Sequence, residues 1–264
     1  MRIVESIYEL WRAAVADQRP VAIATVVEGP SVGAKILVGE DLDPVGSLGD
    51  ADLDRVVIRD TIGELAGGRT GVRHYGPHGE AREESVSVFI ESFAPPPQML
   101  IFGAVDFTGA LVRVAKVLGY RVTVCDAREV FATHRRFPQA DEVVVDWPHR
   151  LLERVGSRLG ARDAVCVLTH DHKFDIPAII AALGTEVGYL GAMGSRRTNA
   201  ERLARLEQEG ADMDAVRGRL SAPIGLDLGG RTPEETAISI CAEIIAMRTG
   251  RPAASLSVTE GPIH

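Results

Sequence analysis

The sequence predicts an α/β protein in which a smaller N-terminal α+β domain precedes a larger, doubly wound parallel sheet. Three observations carry that prediction. From Gln98 onward, apolar runs of strand length alternate with helical segments, the grammar of strand-helix-strand crossovers. Those runs (MLIFGA, AVCVL, VGYL) are near-continuous rather than alternating, as expected of strands covered on both faces. Between the two regions, residues 94–97 read APPP. Successive prolines offer no N–H donors and fix φ, so neither a helix nor a sheet interior runs through them. The predicted domains are residues 1–93 and 98–264.

In the first domain Ile3, Ile7, Leu10, Trp11 and Ala14 fall at helical spacing and predict a helix over 3–17. The β-branched run 21–27 predicts a buried strand, and 34–38, reached through Gly29, Pro30 and Gly33, its hairpin partner. Leu53, Val56, Val57 and Leu65 restore helical spacing over 50–66, with Gly67 and Gly68 as the stop signal. Strands over 71–75 and 85–92 complete the unit. In the second domain the predicted order is strand 98–103, helix 107–118, strands 121–126 and 142–145, helix 148–158, strand 164–169, helix 176–183 and strand 187–190. Helices over 195–209 and 232–247 follow, the last opened by Thr232 as cap, Pro233 in the first turn and Glu235 at the capping-box position. Helical connections between successive strands permit right-handed crossovers, which makes this a Rossmann-type sheet.

Hydrophobic residues make up 45% and charged residues 25% of the 264 residues, the balance of a globular protein rather than a disordered one. No apolar run reaches the ~18 residues that a membrane span requires. Glu5, Glu9 and Asp17 break the pattern of a secretory signal, so cytoplasmic residence is expected. The formal net charge of -8 argues against nucleic acid and membrane surfaces as partners, since both select basic faces. Cys125, Cys166 and Cys241 lie in apolar or helical stretches without CxxC spacing and read as buried, inert thiols.

Four constellations carry candidate chemistry. The first is the turn Gly103, Ala104, Val105, Asp106, Phe107, Thr108, which keeps only the first glycine of a dinucleotide fingerprint. Val105 puts methyl groups where a pyrophosphate approaches the backbone, and Asp106 adds negative charge at a helix start, so NAD(P) binding is weakened here. Asp106 otherwise reads as a helix cap. Asp126 then closes the next strand, at the place where an acid accepts bonds from a ribose or, in the plainer reading, caps its own turn. Arg128 beside it suits a base, a phosphate or solvent. Thr169, His170, Asp171, His172 and Asp175 form the second cluster, on a loop at the carboxyl end of a strand. Two histidines two residues apart without a third ligand at a diagnostic spacing make a polar ligand a better expectation than a metal. The third, Gly194, Ser195, Arg196 and Arg197, combines a tight turn, a helix cap and two guanidiniums, the features of an anion cradle; its plainer reading is a helix start with solvated arginines. Finally, residues 222–229 form a glycine-punctuated loop in which Asp227 lines a cleft or caps a turn.

The succession VTVCDAR (122–128), THDHKFD (169–175), GYLGAMGSRR (188–197) and PIGLDLGGRTPEETAISICAEIIA (223–246) resembles the C-terminal half of the XdhC/CoxI family, and VAIATVV and GAKILV resemble its N-terminal part. The resemblance implies an accessory protein in maturation of molybdenum hydroxylases. Such a protein binds the molybdenum cofactor (molybdopterin), works with a cysteine desulfurase and serves an apo molybdenum hydroxylase. It carries cofactor contacts onto Gly103, Asp126, the 169–175 loop and the 194–197 loop. Where the family shows a GGC motif, this chain has Gly49, Asp50 and Ala51. Two other functions compete with this one: an NAD(P)-dependent oxidoreductase with His170 or His172 moving a proton, and a ligand-less paralogue acting through protein contacts. A homodimer is the expected assembly.

Overall fold

The structure is a computed structural model that describes residues 6–39, 42–80 and 84–259. It divides into two units, Met1–Pro95 and Pro96–His264. None of the helices among the described residues is long and apolar enough to cross a membrane.

In the first unit, helix α1 (Ile7–Ala16) opens with a capping box between Ser6 and Glu9. Ile3, predicted to begin this helix, lies outside the described residues. Strands β1 (Val21–Glu28) and β2 (Lys35–Gly39) form the expected antiparallel hairpin. A third strand, β3 (Leu42–Ser47), follows, then α2 (Ala51–Gly67), β4 (Gly71–Tyr75) and β5 (Val86–Phe93). The sheet runs β3-β2-β1-β5-β4. Period-two alternation divides its faces. Ala24, Val26, Ile36, Val38, Val88 and Ile90 pack under Leu53 and Val57 of α2. Val21 and Leu37, on the other face, pack with Ala14 and Trp11 of α1.

The second unit contains β6 (Gln98–Phe102), α3 (Asp106–Val117), β7 (Arg121–Cys125), β8 (Glu142–Val144), α4 (Pro148–Val155), β9 (Ala164–Val167), α5 (His172–Leu183), β10 (Tyr189–Ala192), α6 (Arg196–Gln208), α7 (Met213–Arg219), β11 (Leu220–Ser221) and α8 (Pro233–Thr249). Every pairing in its six-stranded sheet, ordered β11-β10-β9-β6-β7-β8, is parallel. This is the strand order of dinucleotide-binding folds, with the chain reversing direction between β6 and β9. Met99 and Ile101 of β6 point to the layer holding Leu111 of α3 and Ile240 of α8, and Leu100 and Phe102 to the layer holding Leu152, Ile179 and Leu206. Both faces are therefore apolar, which explains the unbroken hydrophobic runs.

Several local expectations need correction. Helix α5 begins at His172, four residues before the predicted start at 176. Asp171 accepts a hydrogen bond from the Lys173 N–H and caps it, so Pro177 lies inside the helix rather than near its beginning. His172 thus belongs to a helix and not to a loop. The α8 cap forms as predicted, Thr232 accepting from the Glu235 N–H and Glu235 from the Thr232 N–H.

Candidate functional site

The carboxyl ends of β6, β7, β9 and β10 bring four loops to one edge of the sheet at its switch point, the place where open α/β sheets bind ligands. Each loop continues the ladder for one residue before it turns. Gly103 N–H donates to the Cys125 carbonyl (2.9 Å), Leu168 N–H to Phe102 (2.8 Å) and Met193 N–H to Val167 (2.8 Å). Gly103, Asp126, Thr169 and Gly194 consequently start from a rigid base.

At the first turn, Gly103 adopts φ +112°, and a Cβ there would lie 2.6 Å from Thr169 Cγ2 and 3.0 Å from Thr169 N. Glycine is needed for the approach of the β9 end, whatever ligand the site takes. The turn's own donors are engaged within the protein. Ala104 N–H donates to Asp126 Oδ2 (2.8 Å) and Val105 N–H to Thr108 Oγ1 (3.3 Å), while the Thr108 hydroxyl donates to the Gly103 carbonyl. Thr108 therefore secures the helix start, and Asp106 does not: the cap residue is Val105, and Asp106 is the first residue of α3 with its side chain 94% exposed.

Asp126 is buried and fully engaged. It accepts from Ala104 N–H, from Arg128 N–H (2.9 Å), and from Arg128 Nε (2.9 Å) and Nη2 (2.7 Å). Four donors match the lone-pair capacity of one carboxylate. Burial raises its pKa, but the Arg128 and backbone bonds outweigh that and hold it below its ordinary value. The Arg128 guanidinium also lies 4.6 Å from the centre of the Phe131 ring. In this conformation Asp126 caps its own turn and grips Arg128, leaving no lone pair for a ribose.

The second cluster is drawn inward. Thr169 donates its hydroxyl to Asp175, and Asp175 pairs with Arg202 Nη2 at 3.0 Å. Both partners are buried, each side chain 1% exposed. Arg202 also donates to Asn199 and to the Met193 carbonyl (2.8 Å), and Asn199 reaches the Gly194 carbonyl (3.4 Å). One buried network thus ties the end of β9 to the end of β10. Burial pushes the Asp175 carboxyl up to about 6 against the pull of Arg202. Arg202 and Asn199 are missed by sequence reading; only the spacing Asn199, Arg202 on one helical face signals them. Asp171 caps α5 and pairs with Lys173, His170 is exposed, and His172 Nδ1 is buried without a hydrogen-bond partner among the described residues. No group of three or more metal-capable side chains occurs among the described residues.

At the third constellation, Ser195 caps α6, its Oγ accepting from Thr198 N–H at 3.1 Å. The first-turn N–H groups of Arg196 and Arg197 have no intrahelical acceptor. Both arginines are exposed, with Arg197 pairing along the helix to Glu201 (3.1 Å). Behind them, the 222–229 loop is held by Glu243, which accepts from Gly225 N–H (2.8 Å) and from the Tyr189 hydroxyl (2.5 Å). Asp227 stays on that loop, its carboxylate unused by the β6 or β9 turns. Taken together, Asp126 and the N–H groups of Gly103, Ala104 and Val105 are internally satisfied; the first-turn N–H groups of α3 and α6 both lack acceptors, but the exposed Asp106 makes the α3 start negative whereas Arg196 and Arg197 make that of α6 positive.

All three cysteines are buried. Burial pushes the Cys125 and Cys241 thiols up to about 12 and the Cys166 thiol well above its ordinary value. None is poised as a thiolate.

Comparison with known proteins agrees with this architecture. A sequence model described as the XdhC Rossmann domain matches residues 99–244, and one described as the XdhC and CoxI family matches residues 14–76. A Bacillus subtilis protein named as a probable xanthine dehydrogenase subunit is 31% identical over 63% of this chain and 47% of its own length. The Escherichia coli protein YqeB, uncharacterized, is 27% identical over 88% of this chain and 44% of its own. The Escherichia coli molybdenum cofactor insertion chaperone PaoD is 26% identical over 61% and 43% respectively. The chain thus spans under half the length of these curated relatives. A crystal structure described as a xanthine dehydrogenase from Bacillus halodurans shares the fold, with a TM-score of 0.51 and 23% identity over 96% of this chain and 98% of that one. With the Rossmann match alone extending over more than half its length, this chain belongs to the XdhC/CoxI family.

Proposed function

We propose that this chain is an accessory factor in the maturation of a molybdenum hydroxylase, holding the phosphate of a pterin cofactor at the start of α6 and presenting it to the apoenzyme. One observation carries the ligand placement. The free N–H groups, Ser195, Arg196 and Arg197 at α6 suit a phosphate, while the turn after β6 that holds a dinucleotide in other Rossmann folds has its Ala104 and Val105 N–H groups bound to Asp126 and Thr108 and carries the exposed carboxylate of Asp106 at its helix start. The role itself is supported by family membership and by the relative named as a molybdenum cofactor insertion chaperone. His170, exposed at the β9 loop, and the unpartnered Nδ1 of His172 supply polar groups for the rest of the ligand. With every thiol buried, this chain serves sulfuration by docking a cysteine desulfurase rather than by carrying sulfur itself. The protein acts in the cytoplasm, as a homodimer.

The test is to purify the chain from a cofactor-replete host and quantify the pterin released by acid. Wild-type protein is expected to retain pterin, and the Arg196→Ala/Arg197→Ala variant to lose roughly tenfold of it, the worth of charge-assisted bonds. Absence of pterin, with no binding when molybdopterin is added, overturns the proposal. Micromolar binding of NAD or NADP in calorimetry favours the oxidoreductase instead.

A further inference from the structure

A cavity of about 760 Å³ lies within the first unit. Its volume falls in the range that takes small-molecule ligands, about 300–1,000 Å³. It exists because α2 lies across β1, β2 and β5 and leaves the edge strand β4 uncovered on that face. The ledge so formed is lined by Arg59, Asp60 and Glu64 of α2, by Arg69 of the connecting turn, and by Arg73 and Tyr75 of β4.

The charges on this ledge are organised from below. Glu64, with an 11% exposed side chain, accepts from Arg69 Nε (2.7 Å) and from Arg73 Nε (2.9 Å) and Nη2. Asp60 accepts from the Tyr75 hydroxyl (3.1 Å) and from Arg59 Nε and Nη2 (3.1 and 2.9 Å). Both carboxylates are therefore paired with guanidiniums, each accepting three donors. Arg59 Nη1, both Nη atoms of Arg69 and Arg73 Nη1 have no acceptor among the described residues. Three guanidiniums against two carboxylates leave a positive cavity on a chain of net charge -8.

Backbone geometry supports the arrangement. Gly68 takes a left-handed φ of +62°, which ends α2 and turns the chain so that Arg69 returns to Glu64. A Cβ on Gly67 would lie 2.8 Å from Arg69 Nη1, so the helix end leaves room for that guanidinium. On the far side, a Cβ on Gly79 would lie 2.9 Å from Val56 Cγ2, and the 76–80 turn packs down on α2. Burial raises the Glu64 pKa, but the bonds from Arg69 and Arg73 outweigh it, so the carboxylate stays ionised and keeps both arginines in place.

We infer that this ledge is a binding site for a small molecule bearing a phosphate or paired carboxylates, received by the free guanidinium edges of Arg59, Arg69 and Arg73. A metal cation or an amine suits it poorly, because both carboxylates are already paired with guanidiniums and the lining carries an excess of positive charge. The site is independent of the pterin reading, and its test is arranged accordingly. The full chain carrying Arg196→Ala/Arg197→Ala, which removes the α6 cradle, is titrated by calorimetry at fixed ionic strength. Pyrophosphate is the probe in one arm and citrate in the other, with chloride as the reference salt. Saturable binding is expected in at least one arm, which also identifies the anion class. Arg73→Gln is expected to weaken it roughly tenfold and the more exposed Arg59→Gln roughly threefold, as loss of charge-assisted bonds predicts. No saturable binding in either arm overturns the inference. So does binding unchanged by both substitutions, or a loss confined to Arg73→Gln that tracks a lowered melting temperature while Arg59→Gln binds normally.

Discussion

Asp175 offers a perturbation whose sign decides between two physical effects. Its carboxyl is wholly buried, which disfavours the charged form, yet it touches Arg202, which favours it. Desolvation wins: the folded value is about 6, against an ordinary 3.8. Between those two pH values the folded chain keeps a proton that the unfolded chain has released. The stability linked to this group is therefore complete below about pH 4 and is lost as pH rises through about 6. The gap between 3.8 and about 6 corresponds to ~3 kcal/mol. Asp175→Asn keeps one acceptor, for Arg202, and presents its NH2 to the Thr169 oxygen, but does not titrate. Urea unfolding of both proteins from pH 4 to pH 7 isolates the contribution of Asp175 from that of every other group. Wild type is expected to lose ~3 kcal/mol relative to Asp175→Asn across that window. A flat difference, or wild type gaining on the variant as pH rises, refutes the reasoning, the second result meaning that the Arg202 attraction exceeds the desolvation cost.

Arg202→Met leaves Asp175 buried without its cation and should cost about 3–5 kcal/mol in urea unfolding, whereas Arg202→Met/Asp175→Leu should recover most of that loss; equal losses would mean that the pair is not the source. Gly188→Ala places a Cβ 2.0 Å from the Ala161 carbonyl oxygen, and a backbone shift of that size is expected to lower stability by more than ~2 kcal/mol, read as a drop in denaturation midpoint. Thr232→Ala removes the α8 capping box at an exposed position and should cost about 1 kcal/mol, with hydrogen exchange accelerating only in the first turn of α8. Native protein should react with no equivalent of a thiol-specific disulfide reagent within minutes at pH 8, and urea-unfolded protein with three, because all three thiols are buried.

The fold class was legible because both signals it rests on are local. Near-continuous apolar strands and helical spacing are properties of short windows, and the parallel sheet requires both. β3 was not legible. Its sequence, LDPVGS, combines a proline, a glycine and a mostly exposed burial pattern at a sheet edge, the composition of a turn. α7 and β11 are too short to show a period. Arg202 was hidden for a different reason. α6 reads as RRTNAERLARLEQ, a polar helix with arginines throughout, and nothing local distinguishes the guanidinium that is wholly buried from those in water. The occupancy of Asp126 is likewise non-local in part, since the Ala104 N–H that helps to saturate it comes from another strand end. Loops that face the switch point could be located from strand order, but which of their donors remain free depended on partners far away in the chain.

Arg128 grips a carboxylate two residues away, and that tether has a kinetic meaning. Any hydroxyl arriving at Asp126 competes with a guanidinium whose local concentration is set by the chain, on the order of millimolar or more, and not by the solution. Exchange at this corner is therefore timed by how often the Arg128 fork releases. A ligand also anchored elsewhere, as proposed for the start of α6, would meet that competition with an effective concentration of its own.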